Sequence, residues 1–311
     1  MSDSAPFFCA AVAERRGDSL AGTAPRGTTW VLVEYRGAWP ANGFDGIRID
    51  PDVHDEVFAA ARSLRARILL VRRFGRRRAG GLGQWAVLHR TPSGESRQRW
   101  GVWQVDSDLR AAAEVLRSIA DAGDHGVAPL GDEDRPATVL VCAHGQHDVC
   151  CSVRGRPVAE ALSTAWPTRV WECTHVGGDR FAPNVVVIPD GVAYGRLTPD
   201  TALATLRQHF SGRIAADHLR GYTDLAPVAQ AAIAALLHAE GPAGRDDYAV
   251  ISQDRGERAW RLTLRGPLPE RHLHDVEVVA EQAPPRRLTC RGSEPAAALE
   301  CTAKLVGPAR S

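Results

Sequence analysis

At 311 residues the chain is long for a single hydrophobic core, and two or three domains are the natural expectation. Hydrophobic residues make up 44% and charged residues 24%, as in an ordinary globular protein, and a net charge of +1 excludes nucleic-acid binding through bulk charge. No apolar run approaches the length needed to span a bilayer, and the first residues, Met-Ser-Asp-Ser-Ala-Pro, lack the basic and apolar segments of a secretion leader.

Residues 1–27 read as a short helix, carrying Cys9, and then a loop with Gly17-Asp18 and Gly22-Thr23-Ala24-Pro25. Trp30–Tyr35 has the pattern of a buried strand. Asp50 caps a helix with Pro51 in its first turn, and Val53, Val57, Ala60, Ala61 and Leu64 recur at helical spacing. Strands are expected at Arg67–Arg73, Gln84–Arg90 and Arg99–Val105. Asp106-Ser107 then opens a helix with Leu109, Ala112, Ala113, Leu116 and Ile119 on one face.

After a turn-rich linker over 123–136 the same order recurs. Thr138–Cys142 reads as a strand and Arg156–Ala165 as a helix with Pro157 early in it. Strands follow at Arg169–Cys173, Asn184–Ile188 and Val192–Arg196, the last two joined by Pro189-Asp190-Gly191. Thr198 caps a helix that has Pro199 at its first position. Strand, helix, strand, hairpin, helix is the skeleton of a thioredoxin-like unit, and two tandem copies account for residues 28–122 and 137–212. Leu225–Glu240 is an alanine-rich amphipathic helix. Tyr248–Gln253, Ala259–Arg265, Val276–Gln282 and Arg286–Cys290 alternate like antiparallel strands. The expected fold class is therefore α/β: two tandem thioredoxin-like domains plus a C-terminal helix and a small antiparallel β module. The boundaries fall at 1–127, 136–222 and 223–311.

The chemistry concentrates between Cys142 and Asp179, which hold four of the seven cysteines, three histidines and two aspartates. Thiolate and imidazole are the ligands that soft and borderline metals prefer. Cys142 ends one strand, Cys150 and Cys151 precede a helix, and Cys173 ends the neighbouring strand. His175 and Asp179 lie on the loop beyond, where Gly177-Gly178 lets the backbone come close to bound sulfide. These residues predict a metal centre, an iron–sulfur cluster first and a zinc site second. Odd cysteine number and the lack of a leader point to reduced thiols in a cytoplasmic protein. Cys9, Cys290 and Cys301 read as core or surface thiols, and His144 and His147 as polar loop residues, with His144 able to hydrogen-bond a ligand sulfur. Arg180 suits a carboxylate partner or, beside the cluster, a tuning charge. The bond before Pro183 can be cis or trans.

Three stretches carry a resemblance. Cys142-x-His-x-x-x-Asp-x-Cys150-Cys151, the run from Trp171 through His175, Gly177-Gly178 and Asp179 to Asn184, and Pro189-Asp-Gly-Val-Ala-Tyr-Gly-Arg196 look like the sucrase/ferredoxin-like family. Gly17-Asp-Ser-Leu-Ala-Gly-Thr-Ala24 is also similar to that family's start. The resemblance runs from about Cys9 to about Tyr222 and implies a thioredoxin-like [2Fe–2S] ferredoxin. Fungal members hold the cluster with two cysteines and two histidines spaced His-x-x-x-His. Here the first histidine is His175, and the second position holds Asp179. Cys142 and Cys151 carry over as the cysteine pair, with Cys150 an alternate. Cys173 is preferred for the fourth place, and Asp179 comes second.

Histidine ligation raises the reduction potential above that of all-cysteine plant-type clusters and can couple electron uptake to proton uptake. The expected function is a non-enzymatic electron carrier between a reductase and an oxidase or other acceptor, without nucleic-acid or membrane partners. The basic run Arg72-Arg73-Phe74-Gly75-Arg76-Arg77-Arg78 is either a solvated hairpin loop or a docking patch for an acidic redox partner. The alternatives are a thiol–disulfide or peroxide-handling oxidoreductase using Cys150, Cys151 or Cys173, and a zinc-stabilised interaction module.

Overall fold

A computed structural model describes residues 7–75, 82–123, 126–292 and 294–307. Arg76, Arg77 and Arg78 of the basic run lie outside the described residues. The first helix, α1 (Cys9–Arg16), ends at Gly17, whose φ of 75° is the left-handed conformation that closes a helix without cost to glycine. Strand β1 (Thr29–Glu34) is buried along its whole length, as its run of apolar residues requires. The Asp50 carboxylate accepts hydrogen bonds from the backbone of Asp52 and Val53 and starts α2 (Pro51–Ser63). There follow β2 (Arg67–Arg72), β3 (Gly83–Arg90), β4 (Ser96–Trp103), a single 3₁₀ turn over Asp106–Leu109 and α3 (Arg110–Ala122).

The second half repeats this order with β5 (Thr138–Cys142), α4 (Val149–Ala165), β6 (Val170–Cys173), β7 (Val185–Ile188), β8 (Val192–Tyr194) and α5 (Pro199–Phe210). In each half the first two strands are parallel, the third pairs antiparallel on the other side of the first, and the fourth pairs with the third. The halves join edge to edge, because β2 pairs antiparallel with β6 through Val71–Cys173 and Arg72–Glu172. Two further contacts reinforce this short seam. Arg72 Nε donates to Glu172 at 2.8 Å in a buried pair, and the Leu70 amide donates to Thr174 Oγ1 at 3.0 Å. With β9 (Leu219–Tyr222) at the far edge, the result is one nine-stranded sheet in the order β4-β3-β1-β2-β6-β5-β7-β8-β9. Trp30, Leu32 and Leu69 of the first half share a core with Leu140, Trp171 and Val186 of the second.

Helix α6 (Pro227–Glu240) is buried on most of its circumference, including Ala231, Ala232, Ile233, Leu236 and Leu237. A helix apolar on several sides must be covered on several sides. One core packs it with Tyr194, Leu219 and Tyr222 of the large sheet and with Leu262, Leu264, Val276 and Val278 of a second, antiparallel sheet. That sheet is β10 (Ala249–Arg255), β11 (Trp260–Arg265), β12 (Leu273–Gln282) and β13 (Leu299–Leu305) in sequential order. No helix among the described residues is long and apolar enough to cross a membrane.

Two expectations change, and one left open is decided. Residues Arg286–Cys290 do not form the fourth strand of the module. They make only an isolated bridge, Arg286 to Ala296, and β13 takes that place, with the buried Cys301 on its inner face. Helix α4 begins at Val149, seven residues before the predicted Arg156, because Asp148 rather than Pro157 marks its start. The Asp148 carboxylate accepts from the Cys150 amide at 2.8 Å, while Pro157 sits inside the helix. Gly155 lets the helix lie directly on β5, since a Cβ there would stand 2.1 Å from the Cys142 carbonyl oxygen. The bond between Ala182 and Pro183 is cis.

Candidate metal centre

Parallel pairing of β5 and β6 sets Cys142 beside Cys173 at the carboxyl ends of two adjacent strands. The chain then turns through residues 143–148 into α4, whose first turn presents Cys150 and Cys151. Consecutive helical residues point about 100° apart, so the two thiols enter different surroundings. Cys151 faces Cys142 and the loop after β6.

Ligand atoms of Cys142, Cys151 and His175 lie within 4.8 Å of one another, and those of His147, His175 and Asp179 form a second group at the same spacing. Asp179 is common ground between them. Its Oδ1 accepts from the Cys151 thiol at 3.3 Å and lies 3.0 Å from His175 Nδ1, and Oδ2 lies 3.7 Å from His147 Nε2. Nδ1 of His175 is buried and out of line for a hydrogen bond, so it has no aligned partner. Two thiols, an imidazole and a carboxylate brought together by these contacts fit a soft or borderline metal or an iron–sulfur cluster. The cysteine/aspartate/histidine groups can hold a metal ion.

Cys173, the preferred fourth ligand, is not in this group: its sulfur does not lie within 4.8 Å of all the others. It is fully buried, and burial first, then Cys142 and Glu172, push its thiol up, against the pull of Arg67. Cys150 faces away from Cys142 and meets Cys290 instead, sulfur to sulfur at 3.3 Å. His144 Nε2 donates to the Pro40 carbonyl oxygen at 2.8 Å, a contact not expected from the sequence. His147 is the residue that sequence reasoning passed over. Its ring stacks on His175 with centroids 3.7 Å apart, covering the histidine edge of the site. The signal was its position four residues before Cys151, within reach of the same loop only once α4 begins at Val149. A cavity of 280 Å³ opens onto this edge, lined by Asn42, Phe44, Arg62, His144, His147 and His175.

The electrostatics suit an anionic, metal-binding pocket. A hydrogen bond from Cys151 and the nearby His175 hold the Cys142 thiol well below its usual range, and the same contact with Cys142 pushes Cys151 up. One thiolate is therefore shared by the pair. Burial would depress His175, but Asp179 and the Cys142 thiolate raise it to about 9. Burial would lift Asp179, yet His175 holds its carboxyl below the usual range.

The loop that carries His175 and Asp179 is fixed from behind by Arg220 on β9, which is 2% exposed. Its Nη1 donates to Gly177 O at 2.9 Å and Asn184 Oδ1 at 2.8 Å, its Nε donates to Thr23 Oγ1 at 3.2 Å, and its Nη2 donates to Thr23 O. Gly178, at φ 82°, faces the same guanidinium: a Cβ there would stand 2.4 Å from Nη2. The glycine pair was expected to bring backbone close to sulfide. Gly178 instead makes room for a buried arginine.

Arg180 pairs with Asp18 (3.2 Å), which also takes a two-pronged contact from Arg16 (2.6 and 2.7 Å) and lies 3.5 Å from Arg286. Burial alone would raise the Asp18 carboxyl, but Arg16, Arg286 and Arg180 hold it below the usual range. A depressed carboxyl contributes stability that is present above its unfolded pKa and is lost as pH falls through the folded one. Urea unfolding should thus show lower stability at pH 3 than at pH 7, and Asp18→Asn should shrink that difference. An equal pH dependence in the variant would contradict the assignment.

The fold and site together define a mixed α/β protein with a thiol–imidazole–carboxylate group able to bind metal. A family model described as Sucrase/ferredoxin-like matches residues 20–221, and the chain belongs to that family. It is 35% identical over 100 residues to a protein of Meyerozyma guilliermondii called Altered inheritance of mitochondria protein 32. That match covers 28% of this chain and 34% of the yeast protein, so it spans about a third of its relative. No solved structure matches the chain.

Proposed function

We propose that the protein carries single electrons through a [2Fe–2S] cluster held by Cys142, Cys151, His175 and Asp179. The observation that carries this is the convergence of the two thiols and His175 within 4.8 Å, with Asp179 against both Cys151 and His175. Family membership supports the reading, and the motif resemblance implies Cys142, Cys151 and His175 as counterparts of the fungal ligands. Asp179 stands where that pattern has its second histidine. Asp179 is chosen over Cys173 for its contacts with Cys151 and His175, not for closeness to Cys142; Cys173 falls in neither ligand group.

The bound cluster would supply one-electron oxidation and reduction near the surface. The chain's own residues set how that happens. Burial of Cys142 and Cys151 excludes water from the sulfur side. His147 and His175 form the partly exposed edge facing the 280 Å³ cavity, which is the natural approach for a redox partner. His175 is also the group able to gain a proton as charge builds up. The element order of each half is that of a thioredoxin-like unit. On this basis residues 1–127 form a unit without a cluster, 136–222 the cluster unit, and 223–311 a helix and β module closing the far side.

Protonation at His175 makes the midpoint potential depend on pH. In protein-film voltammetry between about pH 5 and 9, the potential should rise as pH falls below the histidine pKa of the oxidised form. The limiting slope is about 60 mV per pH unit for one proton and one electron. A flat profile, or one unaltered in His175→Cys, would contradict histidine ligation.

A further inference from the structure

Behind the first turn of α4 a second constellation of sulfur ligands lies outside the centre already described. Cys9 from the start of α1, Asp148 and Cys150 from the start of α4, and Cys290 from the segment between β12 and β13 place one ligand atom each within 4.8 Å of the others. The sulfur of Cys290 is 3.3 Å from that of Cys150 and 3.4 Å from that of Cys9, and Cys9 lies 3.7 Å from both carboxylate oxygens of Asp148. We infer that these four residues form a second, closed metal site that binds one zinc ion and ties together the N-terminal helix, α4 and the C-terminal module.

Geometry selects a single ion. Tetrahedral zinc with sulfur bonds of about 2.3 Å keeps its donors about 3.8 Å apart, close to the spacing of these four groups. Charge points the same way. Asp148 is 0% exposed, and none of the described residues forms an ion pair with it. Its two oxygens accept from backbone amides, Cys150 N–H at 2.8 Å and Cys290 N–H at 2.6 Å, and from the Cys9 thiol at 3.7 Å, all neutral donors. A buried carboxylate among three thiols, without a cationic side chain, calls for a cation from solution. The Cys9 amide donates to the Cys290 sulfur at 3.3 Å, the kind of backbone contact that steadies a ligating thiolate.

Binding releases to solvent whatever protons the three thiols still hold and transfers no electron, so the site is structural. The segments it joins are up to 281 residues apart in sequence. Arg287 stacked 4.0 Å over Phe7 and Arg291 hydrogen-bonded to Gln146 lie along the same seam.

The test is metal analysis of the full-length chain purified without chelator, with zinc-edge X-ray absorption. About one zinc ion per chain, bound by three sulfurs and one oxygen, is expected. The double variant Cys9→Ser/Cys290→Ser should lose zinc by roughly tenfold or more while its iron content and visible spectrum persist. Asp148→Asn, which keeps a capping side chain on α4, should weaken zinc retention by roughly tenfold. Wild-type protein without zinc would overturn the site, as would a disulfide between any two of the three cysteines. So would zinc that stays in the double variant but leaves with Cys142→Ser. Zinc reports on this site, whereas iron and colour report on the electron-transfer centre, so either can fail without the other.

Discussion

Cys142→Ser and Cys151→Ser should each lower the iron content of the purified protein by at least about tenfold, whereas Cys173→Ser should leave it unchanged. The contrast follows from position. Cys142 and Cys151 share one proton between two sulfurs and lie within 4.8 Å of a His175 ring nitrogen, while Cys173 is sealed in the core beside Arg67. Serine fills the volume of cysteine closely, so loss of iron without loss of fold reads as a lost ligand. Asp179→His is the informative partner to these changes. It creates the His-x-x-x-His spacing of the fungal relatives and replaces an anionic donor by a neutral one. The variant should keep its iron and show a higher midpoint potential, since fewer negative ligands favour the reduced form. Iron loss in Cys173→Ser, together with retention in Asp179→Ala, would transfer the fourth place from Asp179 to Cys173.

Arg220→Met should be the most damaging single change away from the ligands. The guanidinium is fully enclosed, and burial lowers its pKa to about 9 without displacing it from its charged form at neutral pH. Removing it leaves the Gly177 and Thr23 carbonyls and the buried Asn184 side chain without their donor. Breaking a buried charged network of this kind costs about 3–5 kcal/mol. For a chain of this size that is roughly 5–8 °C in the thermal midpoint. Because the same contacts fix the loop between His175 and Asp179, iron occupancy should fall as well. Calorimetry and iron analysis on the same sample check both. A variant with wild-type stability and iron would show that the loop holds itself.

Most of the architecture was legible because local signals agreed with one another. Asp50 before Pro51, Thr198 before Pro199 and the alternation of the first three tail strands each point to one structure, and those elements formed there. What escaped were features fixed by distant residues. Arg220 joins the Gly22-Thr23-Ala24 turn to Gly177-Gly178, explaining two separate motif stretches by a single side chain, and nothing in its own neighbourhood signals this. Pro157 suggested a helix start because proline favours first turns, but the cap at Asp148 and the packing of Gly155 on β5 prevailed. That shift of seven residues decides the site. It puts Cys150 and Cys151 on a helix rather than a loop and turns them in different directions. Cys9 and Cys290 lie 281 residues apart, and only the folded chain brings their sulfurs within 3.4 Å.

The most direct measurement is the absorption spectrum of anaerobically purified protein before and after dithionite. Broad bands between about 320 and 550 nm that bleach on reduction, lost in Cys142→Ser, are the predicted result. A colourless protein, with zinc rather than iron at Cys142, Cys151 and His175, would contradict electron carriage by this chain.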